Sequence, residues 1–340
     1  MEALVLVRNG GPHQAFERRE MPDPEPIGDE VRVAVEGFGL NFADCMARIG
    51  VYQDAPPLPA VLGYECVGVV DAVGPEVDRV AIGDRVVAFT RFGAYATKAI
   101  TRQGGVARIA ADMDSAEALG IPTQFGTAYF CAEEMARVQE GDNVLIQAAA
   151  GGVGNGLVQL AKRRGATVFG TAGSEEKLEF LRQIGVDHPI NYREDDFSEV
   201  VGGILGEDGL DLAFDSIGGA SVSKAYRLLT AGGRVICYGA AAQAGHKKSL
   251  WLTLKMALGF PFTHPIRLLL DSRGVVGVNM LRIADARPTT LARVLEETVA
   301  LVQSGELKVT VGGRFSADQI GDAHELLHGR KSIGKVAVFW

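Results

Sequence analysis

The chain has little cysteine, and its four cysteines are far apart. Cys45, Cys66, Cys131 and Cys237 stand alone in the 340 residues, and none lies within four residues of another. A structural zinc site built from thiolates needs closely spaced CxxC-type pairs, so the sequence argues against one. We interpret the four cysteines as reduced, scattered thiols, which is the usual state in a cytoplasmic protein.

The chain also lacks an excess of positive charge and an uninterrupted apolar run. Its formal net charge is −8, which argues against a nucleic-acid-binding surface because neutralising phosphates requires clustered Lys and Arg. The most apolar late segment, 249–270, contains charged residues and prolines, so it is a poor transmembrane helix. The N-terminal run MEALVLVRNG is typical of a first strand and not of a signal peptide. We therefore expect a cytoplasmic protein without a membrane partner.

Glycine, in contrast, is abundant at 43 residues, and it separates the elements of two different regions. In residues 1–122, strand-like runs such as VRVAVEGFGL alternate with Gly and Pro turns, which predicts a largely antiparallel β domain. In residues 123–282, apolar strands alternate with helices, which predicts an α/β domain with a doubly wound parallel sheet. We expect residues 283–340 to return to the first domain.

A glycine-rich turn, AAAGGVGNG at 148–156, lies between the strand NVLIQAA and the helix GLVQLAKRRG. Small residues let the backbone turn sharply and approach a pyrophosphate, and the helix presents free N–H groups. The alternative is a turn kept for packing alone. We assign to the pyrophosphate Ala150, Gly151, Gly152, Val153 and Gly154.

The end of the next strand, GTAGSEEK at 170–177, lacks the Asp or Glu that binds the ribose 2′-hydroxyl of NAD. Gly173 and Ser174 stand there instead, and Lys177 is unfavourable in the first turn of a helix. A bound 2′-phosphate removes this conflict, and Tyr192 after the third strand is placed to pack on the adenine or donate to the phosphate. The sequence therefore predicts NADP(H), with an ordinary surface lysine at 177 as the alternative.

These motifs, with others along nearly the whole chain, resemble the medium-chain dehydrogenase/reductase superfamily in its zinc-independent quinone oxidoreductase (zeta-crystallin-like) branch. The resemblance lies in GFGLNFADCMARIGVY, PAVLGYECVGVVDAVG, IPTQFGTAY, GDNVLIQAAAGGVG and FSADQIGDAHELLHGRKSIGKVAV. The late segment 249–282 looks closer to the vesicle-membrane-protein-like subgroup. The resemblance implies a Rossmann NADP(H)-binding domain at 123–282 and a GroES-like catalytic domain at 1–122 and 283–340.

The resemblance also implies a lost zinc site. Zinc-dependent relatives have Cys where this chain has Asn41, His where it has Tyr64, and a third ligand at about Thr123. Without zinc to polarise an oxygen, the substrate must be an easier electrophile, such as a quinone or an enone, whose developing charge hydrogen bonds can stabilise. The expected reaction is zinc-independent hydride transfer from NADPH to a quinone or an α,β-unsaturated carbonyl compound.

Four residues are candidates for the catalytic site. Asn41 is the first choice for a polar group near the nicotinamide and the substrate oxygen. Asp44 is the second, with a structural bond to the backbone as its alternative. Tyr52 and Tyr64 are candidate donors to the carbonyl oxygen, and core packing is the alternative for each. By resemblance, further residues near the cofactor are Asn41, Thr127, Tyr238, Gly239, Ala240, Val278, Asn279 and Lys335.

Several alternatives stay open at this point. His324 and His328 have metal-ligand spacing on a helix, but no third ligand accompanies them, so we expect no metal site. Segment 249–270 lines the cleft as a lid, covers a subunit interface, or contacts lipid. The chain is alternatively an NADPH-binding protein with little catalytic role, or an enoyl reductase for acyl-carrier-bound chains. GVVGVN at 274–279 is a candidate edge strand for a homodimer.

Overall fold

The computed structural model of the chain describes residues 1–241 and 265–340. The chain divides into two compact units, and the second is inserted into the first. Unit 1 comprises Met1–Gly126 and Met280–Trp340, and unit 2 comprises Thr127–Asn279. The sequence placed the corresponding boundaries after residues 122 and 282, within a few residues of these.

Unit 1 is built mainly from antiparallel strands. A seven-stranded sheet has the order β15-β16-β3-β5-β6-β8, with β7 also paired to β3, and a second sheet has the order β2-β1-β4. Numbered along the chain, these strands are β1 (Glu2–Leu6), β2 (Phe16–Glu20), β3 (Glu30–Leu40), β4 (Ala60–Val61), β5 (Glu65–Val73), β6 (Arg85–Phe89), β7 (Lys98–Arg102), β8 (Val106–Arg108), β15 (Val311–Ser316) and β16 (Lys335–Phe339).

Strand β3 lies within the seven-stranded sheet and pairs with β5, β7 and β16. Its residues alternate between the core and the surface. Val31, Val33 and Val35 are buried, whereas the residues between them are partly exposed. This is the period-two pattern of a strand with one face against a core. Near its end the strand is buried on both faces, and β16 pairs with it antiparallel. The ends of β3 and β16 therefore bring residues near Leu40 and Lys335 together.

The helical segments of unit 1 are mostly short. They are α1 (Pro12–Ala15), α2 (Phe42–Arg48), α3 (Ser115–Ala118), the π-helical Ile121–Phe125, α10 (Met280–Ala286), α11 (Pro288–Gln303) and α12 (Ile320–His328), with single 3-10 turns at Gln103–Gly105 and Ala317–Gln319. The longest of them, α11, is amphipathic: Leu291, Val294 and Leu295 are buried.

Unit 2 is a parallel α/β domain, as the sequence predicted. Its six strands have the order β11-β10-β9-β12-β13-β14, and every neighbouring pair is parallel. The strands are β9 (Asn143–Ile146), β10 (Thr167–Ala172), β11 (His188–Asn191), β12 (Leu210–Asp215), β13 (Leu229–Cys237) and β14 (Gly274–Gly277). The order runs outward from β9 in both directions, so the first loop opens at the switch point where ligands bind in such sheets.

The helices of unit 2 follow the strands in alternation. They are α4 (Gly126–Tyr129, beginning at the boundary), the π-helical Phe130–Ala136, α5 (Gly152–Arg163), α6 (Glu175–Gln183), α7 (Phe197–Leu205), α8 (Ala220–Leu228) and α9 (Pro265–Asp271). Because this alternation feeds each strand into a helix on a face of the sheet, it confirms the doubly wound architecture.

The apolar segment 249–270 lies mostly outside the described residues. Its last residues form part of α9, where the side chains of Ile266, Leu269 and Leu270 are exposed. Among residues 1–241 and 265–340, no helix has the length and hydropathy to cross a membrane.

Candidate functional site

The glycine-rich turn of unit 2 leads directly into α5. Gly151 occupies the N-cap position and has no side chain with which to cap the helix. The amides of the first turn of a helix have no acceptor within the helix, so Gly152 and Val153 present N–H groups at its positive end. Ala150 is buried beneath this turn. The local geometry therefore suits a bound anion.

Gly154 explains why the turn needs small residues. A Cβ atom at this position would lie 2.5 Å from the carbonyl oxygen of Ala148 and 2.7 Å from Cα of Ala149. Helix α5 thus packs directly on the backbone that leaves β9, which only glycine permits. Ala148 itself adopts a positive φ of 53°. The sequence pattern without a literal GxGxxG therefore produces the same kind of tight strand-to-helix turn.

Four of the predicted cofactor residues lie at or near the carboxyl end of β10. A Cβ atom at Gly173 would lie 2.6 Å from Cζ of Tyr192, so the phenol packs against the backbone there. Ser174 is the N-cap residue of α6, but its hydroxyl makes no capping hydrogen bond. Lys177 follows in the first turn of α6. Glu175 is engaged by Arg182 at 2.7 Å, so its carboxylate is held by a guanidinium on the same helix.

The other candidate cofactor residues of unit 2 lie where neighbouring strands end. Tyr238 follows β13, and its N–H donates to the carbonyl oxygen of Asp215 at the end of β12. The N–H of Val278 after β14 donates to Cys237. The remaining residues of this set are Gly239 and Ala240 after β13, Asn279 after Val278, and Thr127, which is buried in α4. Except for Thr127, the structure brings these residues to the carboxyl edge that also carries the turn.

In unit 1, Asn41 and Asp44 form the start of α2. The Asp44 carboxylate accepts the N–H of Asn41 at 2.8 Å and the N–H of Gly63 at 3.2 Å. Asp44 is fully buried, and this burial raises the pKa of its carboxyl to about 7. Both oxygens are engaged by backbone, so the geometry matches the structural alternative that the sequence left open for Asp44.

The side chain of Asn41 points to a buried ion pair. Its Nδ2 donates to Oε1 of Glu65 at 2.8 Å, and the same oxygen is bound by the ammonium of Lys335. The Lys335 Nζ also donates to the Leu40 carbonyl oxygen at 3.2 Å. Glu65 and Lys335 are both fully buried. The ammonium of Lys335 is thus held inside unit 1 by Glu65, and its expected position near the cofactor stays a prediction.

Two hydroxyl groups next to this ion pair have no partner. Oη of Tyr64 and Oγ1 of Thr123 are buried, and neither makes a hydrogen bond in the part of the chain that the structure describes. Tyr52 meets Tyr64 edge to face, with ring centroids 6.2 Å apart. Burial raises the pKa of both phenols, and the charge of Asp44 raises them further. Tyr52 and Tyr64 therefore keep their protons at neutral pH.

The chemistry of this cluster does not fit a zinc ion. The three positions where zinc-dependent relatives carry ligands hold Asn41, Tyr64 and Thr123, which supply an amide and two protonated hydroxyls. Zinc in catalytic sites is bound by thiolate, imidazole and carboxylate groups. The nearby carboxylate of Glu65 is already bound to Lys335 and to the backbone N–H of Thr123.

The two histidines with metal-ligand spacing serve another purpose. His324 is fully buried, with Nδ1 3.6 Å from Sγ of Cys45 and Nε2 3.3 Å from Oη of Tyr95. His328 Nδ1 lies 2.7 Å from a guanidinium nitrogen of Arg48. Both histidines therefore attach α12 to α2, the helix that begins at Asn41.

Glu65 and Thr123 were not among the residues that the sequence singled out as site candidates. One signal was present: Glu65 opens the apolar strand ECVGVV and Lys335 opens the apolar strand KVAVFW. Charged residues inside apolar strands are buried only when they are paired. The pattern gave no means of matching the two strands or of placing Thr123 beside them.

Comparisons with known proteins agree on both units. Residues 28–127 match the family described as alcohol dehydrogenase GroES-like domain, and residues 152–297 match the family described as zinc-binding dehydrogenase. The synaptic vesicle membrane protein VAT-1 homolog of Danio rerio is 35% identical over 336 residues, which cover 98% of this chain and 69% of that protein.

Two solved structures are also similar along the full chain. Escherichia coli quinone oxidoreductase complexed with NADPH has a TM-score of 0.86 at 26% identity, with 100% of both chains covered. The CurK enoyl reductase has a TM-score of 0.83 at 27% identity, with 99% of both chains covered. The two-unit architecture and its order along the chain are therefore shared with oxidoreductases.

Proposed function

Since the chain belongs to the medium-chain dehydrogenase/reductase superfamily, in its zeta-crystallin-like quinone oxidoreductase branch, we propose that it is a zinc-independent, NADPH-dependent reductase of quinones or α,β-unsaturated carbonyl compounds. The observation that carries this proposal is the composition of the former metal site. Its ligand positions hold an amide and two hydroxyls beside a buried ion pair. Such groups donate hydrogen bonds to a conjugated carbonyl but do not supply a Lewis acid.

The proposed cofactor site is the carboxyl edge of the unit 2 sheet. The glycine-rich turn and the first amides of α5 bind the pyrophosphate, and the Ser174 hydroxyl and Lys177 ammonium bind the 2′-phosphate. Ser174 suits this role because its hydroxyl is not used for capping. Tyr192 lies beside Gly173 and borders the same site. When bound, NADPH supplies the hydride that a quinone or the β-carbon of an enone accepts.

The proposed role of unit 1 is to orient the acceptor and stabilise charge on its oxygen. Tyr64 has a protonated, buried hydroxyl without a partner among the described residues, so it is available as a donor. Tyr52 is half-buried, and its ring meets that of Tyr64 edge to face. Asn41 is held in place by Glu65 and completes the polar wall. The proton that completes an enone reduction comes through these phenols or from solvent.

Stopped-flow loss of NADPH absorbance tests the proposal directly. The purified chain is mixed with NADPH and a panel of quinones and enones, and zinc content is measured on the same sample. We expect turnover with members of the panel and no stoichiometric zinc. Binding of NADPH without turnover of any acceptor rejects the reductase and favours an NADPH-binding protein without catalytic function.

Acyl-carrier-bound enoyl chains are a second candidate substrate class, favoured by the similarity to the CurK enoyl reductase. The chemistry at the acceptor is the same, because an enoyl thioester is also an α,β-unsaturated carbonyl compound. A short enoyl thioester of N-acetylcysteamine in the same panel distinguishes the two classes. A kcat/KM for the thioester far above that of every quinone supports the second candidate.

We further propose a homodimer formed through β14. This strand is the last one of its sheet, so one edge of its backbone is unpaired within the described sheet. Extension of a sheet across a two-fold axis is a common way to protect such an edge. The exposed Leu269 and Leu270 on the preceding helix add apolar surface nearby. Light scattering that gives a monomer at micromolar concentration removes this proposal.

A further inference from the structure

Two buried hydroxyls of unit 1 have no hydrogen-bond partner among the described residues. Buried polar atoms in native proteins are nearly always hydrogen-bonded, so an exception needs a reason. Tyr64 is 3% exposed, and its Oη has no partner in residues 1–241 and 265–340; Thr123 Oγ1 is in the same situation. Leaving such groups unsatisfied costs free energy, which a bound ligand atom recovers.

One of the two hydroxyl-bearing residues, Thr123, is bound to the Glu65 carboxylate, and the other, Tyr64, precedes Glu65 in the chain. Glu65 follows Tyr64 in the chain, and its Oε2 accepts the backbone N–H of Thr123 at 2.9 Å. Its Oε1 accepts Nδ2 of Asn41 at 2.8 Å. A single carboxylate therefore holds Asn41 and Thr123, which lie far apart in sequence, and it adjoins Tyr64.

Lys335 holds this carboxylate in place. Its ammonium is bound to Oε1 of Glu65 and donates to the Leu40 carbonyl oxygen at 3.2 Å. Gly39 makes room for the pair, because a Cβ atom there would collide with the Glu65 carboxylate and with Cε of Lys335. Strand β3 thus has a glycine at a position where a side chain would displace the ion pair.

We propose that Thr123 is a catalytic residue, whose hydroxyl donates with Tyr64 to the acceptor oxygen, and that Glu65 and Lys335 are the positioning residues that aim it. This inference rests on the proposed reductase function and adds residues to its site. In this arrangement an ion pair performs the orienting task that a metal performs in zinc-dependent relatives, while two neutral donors face the oxygen on which charge develops.

The magnitude of the effect follows from the nature of the donor. Removing one preorganised donor to a developing oxyanion lowers kcat by about 10²–10³-fold in well-studied enzymes. A quinone or enone spreads its charge over a conjugated system, so we expect a smaller loss of about 10-fold for Thr123. The substrate KM changes less than kcat, since the bond strengthens as charge develops.

The first experiment removes the Thr123 hydroxyl and nothing else. Thr123→Val keeps the side-chain volume and the backbone N–H that donates to Glu65. We expect kcat for the best acceptor to fall about 10-fold, with the Kd for NADPH unchanged, and Thr123→Ser to restore most of the rate. The control is Thr298→Val, because Thr298 is a buried threonine of unit 1 whose hydroxyl donates to the carbonyl oxygen of Val294 on its own helix. This control should keep wild-type kcat.

The second experiment tests the ion pair by a double-mutant cycle. The combined Glu65→Gln, Lys335→Met variant is neutral, and adding Thr123→Val to it measures the coupling. If the ion pair positions Thr123, adding Thr123→Val to this background lowers kcat by less than about threefold, whereas the same substitution in the wild type lowers it about 10-fold. If the pair is merely structural, Thr123→Val lowers kcat by the same factor in both backgrounds. If the neutral pair does not fold, Glu65→Asp, which shortens the carboxylate but keeps its charge, replaces it in the same cycle.

The outcomes separate this inference from the function on which it rests. Wild-type chain without turnover of any acceptor overturns the proposed function and this inference with it. An active wild type with Thr123→Val at the wild-type rate overturns the role of Thr123 alone. If kcat falls in Thr123→Val and stays equally low in Thr123→Ser, the hydroxyl is not the donor. If Thr123→Val lowers kcat by the same factor with and without the ion pair, Glu65 and Lys335 do not position Thr123.

Discussion

Two regions of the molecule are built in opposite ways. One is the proposed phosphate-binding edge of unit 2, here called the phosphate edge, which comprises residues 150–154, Gly173, Ser174 and Lys177. The other is the polar centre of unit 1, which comprises Asn41, Glu65 and Lys335. The phosphate edge consists of backbone amides, glycines, a serine that makes no capping hydrogen bond and a lysine, all from two strand-to-helix junctions. The polar centre holds buried charges that bind one another, with Glu65 and Lys335 separated by 270 positions in the chain. One site depends on local geometry, whereas the other depends on long-range pairing.

This difference has consequences for stability and for ligand binding. At the phosphate edge, Gly154 admits no side chain, but substitution of Ser174, whose hydroxyl makes no capping hydrogen bond, should have little effect on folding. A buried ion pair is costly to break, since the remaining charge has no partner. We therefore expect substitutions in unit 1 to change stability first, and substitutions at the phosphate edge to change affinity first.

The largest effect should come from breaking the ion pair. Lys335→Met leaves Glu65 buried and uncompensated, and we expect a loss of about 3–5 kcal/mol in the free energy of unfolding. Lys162→Met is the matched control, because Lys162 pairs with Asp187 at the surface of unit 2; its loss should stay below about 1 kcal/mol. Denaturant unfolding of both variants measures the contrast, and similar losses would show that the two pairs do not differ as described.

The next effect concerns pH and His324. Burial, with the charges of Arg48 and His328, lowers the pKa of His324 well below its ordinary value. Below about pH 6.5 the unfolded state binds a proton that folded His324 does not, so stability falls as pH decreases, by up to about 1.4 kcal/mol per pH unit.

A comparison between variants isolates this histidine. Asp44, whose pKa is raised to about 7 by burial, acts in the opposite direction because the folded state holds its proton at higher pH. We therefore compare the wild type with His324→Gln between pH 7 and 5 and expect the variant to lose less stability over that range. Parallel curves for the two proteins would contradict a neutral, buried His324.

A smaller change in free energy is expected at the phosphate edge. Lys177→Ala should raise the Kd for NADPH about 10-fold, which corresponds to a loss of one charge-assisted hydrogen bond, and leave the Kd for NADH unchanged. Arg182→Ala, on the same helix but paired with Glu175, serves as the control and should leave both Kd values unchanged. Titration calorimetry gives the four values, and equal losses for both nucleotides would contradict a 2′-phosphate contact.

The smallest effect on stability is expected for Ser174→Ala. Removing an N-cap hydroxyl ordinarily costs about 1 kcal/mol, but the Ser174 side chain makes no capping hydrogen bond. The free energy of unfolding should therefore change by less than about 0.5 kcal/mol, while the affinity for NADPH falls. A stability loss near the ordinary value would mean that the hydroxyl caps the helix in solution.

The same contrast explains what could be predicted from the sequence. The alternation of strands and helices, the turn before Gly154 and the absence of an acid at the end of β10 are local patterns, and they gave the architecture and the candidate cofactor site. Contacts that depend on pairing between distant strands had no local pattern. The pairing of Glu65 with Lys335 was therefore not predicted, and Thr123 appeared only as a vacated ligand position.

The most direct test of the account is the affinity of the wild-type chain for the two nucleotides, measured by calorimetry under one set of conditions. We expect NADPH to bind at least about 10-fold more tightly than NADH, because NADH lacks the 2′-phosphate that the Ser174 hydroxyl and the Lys177 ammonium are proposed to bind. Equal affinities would contradict the central claim that this edge of unit 2 recognises a 2′-phosphate.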